Sequence, residues 1–207
     1  MVVDMSEPRR RLSPADRRDQ LLDVARRIVE TDGVSACTVE SVSQRAGVTA
    51  QLVHKYFGTR TSLLQDLFRR EDERYEADIR SQIATTNNFE ELVRVFVTAN
   101  FDQLSSATAI GRLRVVPEIA TIRDDLERSE DRGAERVLVR ALTAEYPTTR
   151  GITEFVLRLG SAASIEAGNL AAQQPKRDRD RDVENTVRFI LAGIRALTTD
   201  AATTVGN

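Results

Sequence analysis

Apolar residues recur along most of the chain at steps of three and four, and no sustained stretch alternates strictly between apolar and polar. That spacing predicts helices and no sheet. The first helix carries a full start signal in Ser13-Pro14-Ala15-Asp16: a hydroxyl cap, proline at the first helical position and an acid in the first turn. Its stripe runs through Leu21, Ala25 and Ile28, with Leu22 and Val29 beside it, and it stops after Asp32 at Gly33. Thr38 is placed to cap a second, short helix in which Val39, Val42 and Ala46 share a face, broken by Gly47. Thr49 is placed to cap a third through Tyr56. After Gly58, Thr59 caps a fourth that turns Leu63, Leu64, Leu67 and Phe68 inward.

Two helices this short are unstable alone, because nucleation costs more than a few hydrogen bonds return. They need their neighbours as a platform, the arrangement of a helix-turn-helix DNA reader. Within the third helix, Leu52, Val53 and Tyr56 fall on one side, extended by Val48. Ala50, Gln51, His54 and Lys55 fall on the other, with no carboxylate among them. Gln51 suits an adenine edge, Ala50 a thymine methyl, and His54 and Lys55 phosphates. Thr49 can offer its hydroxyl, and the helix N-terminus beside it, to a phosphate. An ordinary solvated surface helix has the same two faces, so the pattern alone leaves that reading open.

Beyond residue 80 periodicity says more than motif. The last helix sets Val183, Val187, Ile190, Ile194 and Leu197 in a heptad-like seam, and the one before it sets Ile152, Val156, Leu159, Ala163, Glu166 and Leu170 at similar steps. Gly160, Ala162, Ala163, Ala167 and Gly168 permit close helix approach. Glu166 is the odd member, expected at an interface rim beside an arginine. The alternating charges of residues 173–182 read as an exposed connection. Helices over roughly 89–145 supply apolar residues that suit either a core or a small-molecule cavity. Phe96, Asn100, Gln103, Leu113 and Glu118 are the candidates for effector contact.

Composition narrows the chemistry. A hydrophobic share of 41% with 30% charged residues fits a chain that buries a real core. No apolar run approaches the roughly 18–20 residues of a membrane span, and the N-terminus lacks a signal-peptide pattern, so a cytoplasmic protein is expected. One cysteine, Cys37, allows no internal disulfide and no multi-thiolate metal site. One histidine, His54, has neither the carboxylate partner of a general base nor the companions of a metal ligand. Neither a catalytic centre, a metal site nor a cofactor is expected. The net charge of −2 decides nothing about nucleic acid, although Arg9-Arg10-Arg11 stands just ahead of the first helix.

The segment from Leu21 to Phe68 resembles the DNA-binding domain of the tetracycline-repressor (TetR) family of bacterial regulators. The resemblance rests on Ala25, Gly33, Thr38-Val39, Ala46-Gly47-Val48, Tyr56-Phe57 and Leu63-Leu64. It implies an all-α protein: a flexible basic arm over 1–13, a three-helix helix-turn-helix domain over 14–58, and a larger helical domain over 59–207 for effector binding and dimerisation. It implies that Thr38 bonds a phosphate, that Thr49, Ala50, Gln51, His54, Lys55 and Tyr56 belong to the recognition helix or its edge, and that Arg60 contacts the backbone. The family usually has tyrosine where His54 stands and lysine where Arg60 stands. Arginine keeps the charge, whereas histidine suggests an altered contact whose strength depends on pH. The expected protein is a homodimeric repressor on palindromic double-stranded DNA, released by a small apolar or amphipathic effector. Its rivals are a helical small-molecule binding module with a vestigial DNA-binding domain, and an enzyme built in the helical body.

Overall fold

The computed structural model describes residues 12–86, 88–105, 108–128, 133–174 and 178–204. Every α-helix or 3-10 turn assigned among them leaves no strand, as the spacing requires. The chain divides into two compact units, one ending at Asp66 and the other starting at Leu67. The division falls inside helix α4 (Arg60–Ile83), so the first turns of α4 belong with the helices that precede it. Most of the expected basic arm, residues 1–11 with the arginine triplet, lies outside the described residues.

In the first unit, α1 (Pro14–Asp32) begins where its signals place it. The Ser13 hydroxyl accepts the Asp16 N–H at 3.1 Å, and Pro14 occupies the first turn. Gly33 ends it with φ 90°, returning its N–H to the Val29 carbonyl at 3.2 Å. Leu21, Leu22, Val24, Ala25, Ile28 and Val29 are buried. Full burial of such a side chain is worth ~1.5–3 kcal/mol, enough for a few contacts to hold short helices in place. That support is what α2 (Val39–Ala46) and α3 (Ala50–Phe57) need: α2 packs on both α1 and α3, with Val39, Val42, Val53 and Phe57 buried. Arg18 of α1 reaches across them, its guanidinium 5.5 Å from the centre of the Phe57 ring and 2.8 Å from the Asp66 carboxylate.

The second unit continues with α5 (Phe89–Gln103), α6 (Ala109–Leu113), α7 (Ala120–Arg128), α8 (Gly133–Glu145), α9 (Arg150–Ala172) and α10 (Arg179–Thr204). Helix α5 lies against both α9 and α10, and α8 against α5 and α9. Phe89, Val93, Val97 and Phe101 of α5 meet Leu142, Val156 and the α10 residues Val183, Val187, Ile190, Leu191 and Ile194 in one core. The small-residue stripe of α9 is used here. A Cβ on Gly168 would stand 2.6 Å from the Phe101 carbonyl oxygen, so only glycine lets α5 approach so closely.

The heptad-like α10 seam packs helices, as its spacing predicts: Val183, Val187, Ile190 and Ile194 are buried in the chain's own core against α5 and α9, while Leu197 of that seam is exposed. Two expectations need correction. The charged run 173–182 is only partly a connection. Its last residues form the first turn of α10, where Arg179 donates from Nε to Asp102 at 2.9 Å; residues 175–177 lie outside the described residues. Glu166 accepts from the Asn169 side chain at 3.3 Å rather than from an arginine.

Candidate nucleic-acid interface and cavity

The connection into α2 is set by a reciprocal cap. The Thr38 hydroxyl accepts the Ser41 N–H at 3.1 Å, and the Ser41 hydroxyl accepts the Thr38 N–H at 3.0 Å. Gly47 closes α2 in the left-handed region (φ 65°, ψ 38°), a conformation that costs a side-chain-bearing residue about 1–2 kcal/mol. The chain re-enters a helix two residues later, with the Thr49 hydroxyl accepting the Leu52 N–H at 3.3 Å.

In α3 the inward face is Val53 and Phe57, both buried. Leu52 and Tyr56 are half-buried at its margins, and the Tyr56 ring centre is 6.3 Å from that of Phe57. Thr49, Gln51, His54 and Lys55 are exposed, with Ala50 half-buried beside them. Lys55 has no ion-pair partner among the described residues. The outward face therefore presents an amide, an imidazole, an ammonium and a threonine hydroxyl together, and no acid. At the C-terminus of α3, His54 and Gly58 are joined twice: the Gly58 N–H donates to the His54 carbonyl at 2.8 Å, and His54 Nδ1 lies 2.7 Å from the Gly58 carbonyl oxygen.

Arg60, half-buried at the start of α4, makes contacts that its residue type did not foretell. Its Nε donates to the Cys37 carbonyl at 2.9 Å and its Nη2 to the Val34 carbonyl at 2.8 Å. Here the guanidinium turns inward, onto the connection that carries Thr38. Cys37 is buried, and burial, only partly offset by the Arg60 charge, pushes its thiol up to about 11.

The second unit holds a cavity of about 1190 Å³, larger than most drug-sized pockets. Its apolar wall includes Phe89, Phe96, Val97, Leu138, Leu157 and Ile190. Tyr75 donates to Asn100 Oδ1, Asn100 Nδ2 donates to Ser164 Oγ at 2.9 Å, and Ser164 donates to the Ser161 carbonyl at 2.9 Å. Of the effector candidates, Phe96 and Asn100 line this cavity; Gln103, Leu113 and Glu118 do not. Gln103 turns to Asp78 at 2.6 Å, Leu113 is wholly buried in core, and Glu118 sits in the 3-10 turn Pro117–Ile119. Tyr75 and Ser164 were missed because they lie 25 and 64 positions from Asn100, beyond any local spacing.

The family description "Bacterial regulatory proteins, tetR family" matches residues 21–67, the stretch that builds α1 to α3 and the start of α4. Over that N-terminal stretch the chain is similar to the TetR family. An HTH-type transcriptional regulator BetI from Burkholderia cenocepacia is 33% identical over 87 residues, 42% of this chain and 45% of the relative. The chain thus spans less than half the length of such curated relatives. Similarity of fold extends further along the chain than similarity of sequence. The fatty acid degradation regulator FadR from Bacillus halodurans superposes with a TM-score of 0.65 at 19% identity, covering 88% of this chain and 97% of that one. SmeT in complex with triclosan superposes with a TM-score of 0.62 at 19% identity, covering 85% and 90%. At that identity both establish the fold alone. Among the described residues no helix is long and apolar enough to cross a membrane.

Proposed function

We propose that this protein is a TetR-family, sequence-specific DNA-binding transcriptional regulator, a homodimeric repressor released from a palindromic operator by an effector. The observation that carries the reading is α3: a short helix held by buried Val53 and Phe57, with Gln51, His54 and Lys55 exposed and no carboxylate on it. Lys55 and the hydroxyls of Thr38 and Thr49 suit phosphates, and Gln51 and Ala50 suit base edges in a major groove. Tyr56 sits at the edge of that face. Two copies are needed, since a palindrome offers its half-sites about 34–36 Å apart. Phe155 and Leu159 on α9 and Phe189 and Leu197 on α10 are exposed and apolar, which supports pairing through these helices.

The cavity suits a small apolar or amphipathic effector, one that meets the wall of Phe89, Phe96 and Leu138 and the polar groups around Asn100. SmeT, of similar fold, binds triclosan. An effector releases the operator only by binding the non-binding state of the dimer more tightly than the binding one.

The experiment is selection of sites from random duplex. The expected result is a two-fold symmetric site whose affinity falls steeply with salt, because each neutralised phosphate releases counterions. Lys55→Ala is expected to weaken all duplexes alike and Gln51→Ala to change sequence preference. Recovery of no duplex at any salt sinks the reading and favours a small-molecule binding module.

A further inference from the structure

The bond between His54 and Gly58 fixes what the recognition helix can read. A carbonyl oxygen only accepts, so at 2.7 Å from the Gly58 oxygen the His54 Nδ1 must carry the proton. The Gly58 oxygen is itself held, because the Gly58 N–H returns to the His54 carbonyl at 2.8 Å and the residue sits at φ 71°. The ring is thereby locked at both its tautomer and its orientation. Its remaining nitrogen, Nε2, has no hydrogen-bond partner among the described residues, and the residue is exposed. In the neutral imidazole that nitrogen is a lone pair without a proton.

A lone pair cannot bond a phosphate oxygen, which is also only an acceptor. In the major groove the donors are the exocyclic amino groups, N6 of adenine and N4 of cytosine. We propose that His54 is a specificity-determining residue that accepts a hydrogen bond from a base amino group through Nε2, with Gly58 as the residue that positions it. This rests on α3 being the DNA-reading helix, and it reassigns His54 from the phosphate contact expected from sequence. Protonation would turn Nε2 into a donor and remove the acceptor. The charges nearby in sequence and on the adjoining helices include Lys55, Glu40 and Arg45 of α2, the latter paired with Asp32, and on α4 Arg60, bound to the Cys37 and Val34 carbonyls, and Asp66, paired with Arg18.

The test uses the full chain and its selected operator, with each adenine replaced in turn by purine and each cytosine by pyrimidin-2-one, which lack the amino group. Wild type is expected to lose about tenfold in affinity at one symmetric pair of positions, the usual size of a lost base contact. His54→Ala and His54→Phe are expected to bind the parent and the substituted operators alike at that pair while keeping their other preferences. Equal sensitivity to the missing amino groups in wild type and both variants overturns the proposal. So does a wild type that tolerates every replacement. If no operator can be selected at all, the DNA-binding reading fails first and the role of His54 falls with it.

Discussion

The Nε of Arg60 lies 2.9 Å from the Cys37 carbonyl oxygen, so the first residue of α4 is fastened to the connection that leads into α2. Its Nη2 holds the Val34 carbonyl in the same way. A charged donor bonded to two part-buried carbonyls contributes about 1.5–3 kcal/mol per bond, and the carbonyls left behind lose their partners. Arg60→Ala is therefore expected to lower the stability of the first unit by about 2 kcal/mol or more, read by urea denaturation. Arg60→Lys should recover only part, because an ammonium cannot span both oxygens as a planar fork does. Unchanged stability, with a salt dependence of DNA binding lowered by about one phosphate, would return Arg60 to a backbone contact.

The neighbouring thiol gives a pH dependence with a definite sign. The Cys37 thiol is raised from 9.0 to about 11 by burial. The unfolded chain releases this proton at lower pH than the folded one, so the contribution is intact below pH 9.0 and is lost as pH rises towards about 11. Two units correspond to a loss on the order of 2–3 kcal/mol across that window. The difference in stability between wild type and Cys37→Ala, measured from pH 8 to 11, should shrink by about that amount. Native protein should also resist alkylation at pH 8, since the reactive species is the thiolate. Rapid alkylation without unfolding would show that the thiol is not held as described.

Local signals made the first unit legible. Thr38, Gly47, Thr49 and Gly58 each act within four residues of themselves, so caps and breaks follow from the order of residues alone. Arg60 escaped because its partners lie 23 and 26 positions away and its residue type suits a phosphate equally well. In the second unit the α10 stripe was readable, but which surface covers it was not. The same is true of the cavity, whose lining is gathered from helices α4, α5, α7, α8, α9 and α10. Phe96 and Leu113 are both apolar residues on helices, and only the packing decides that one lines space and the other fills it.

Asn100 links two helices through a closed chain of donors, and that role can be separated from ligand contact. Its Oδ1 accepts from Tyr75, and its Nδ2 reaches Ser164 Oγ at 2.9 Å and Ser161 Oγ at 3.5 Å, with the residue itself buried. Asn100→Ala removes both the acceptor and the donor, and a lost buried bond costs about 1–3 kcal/mol. The second unit should lose about 2–4 kcal/mol. Phe96→Ala, at a half-buried wall position, should cost less and act mainly on effector affinity. A fully stable Asn100→Ala protein would mean the network is idle and Asn100 serves the ligand instead.

The sharpest test of the assembly contrasts two adjacent residues of α10. Phe189 is 67% exposed, whereas Ile190 is 9% exposed and belongs to the chain's own core. If α9 and α10 pair with their copies, Phe189 is the large apolar side chain that a partner would bury, together with Phe155 at 57% exposure. Truncating or charging a central aromatic of an interface commonly costs about 2 kcal/mol or more in association. Phe189→Asp should move the protein from dimer towards monomer in sedimentation velocity while leaving helix content and single-chain stability near wild type. Its operator affinity should drop by about tenfold or more, because one reading helix cannot hold a two-fold site. Ile190→Asp should instead unfold the second unit. A Phe189→Asp protein that remains a dimer at micromolar concentration would place the interface elsewhere.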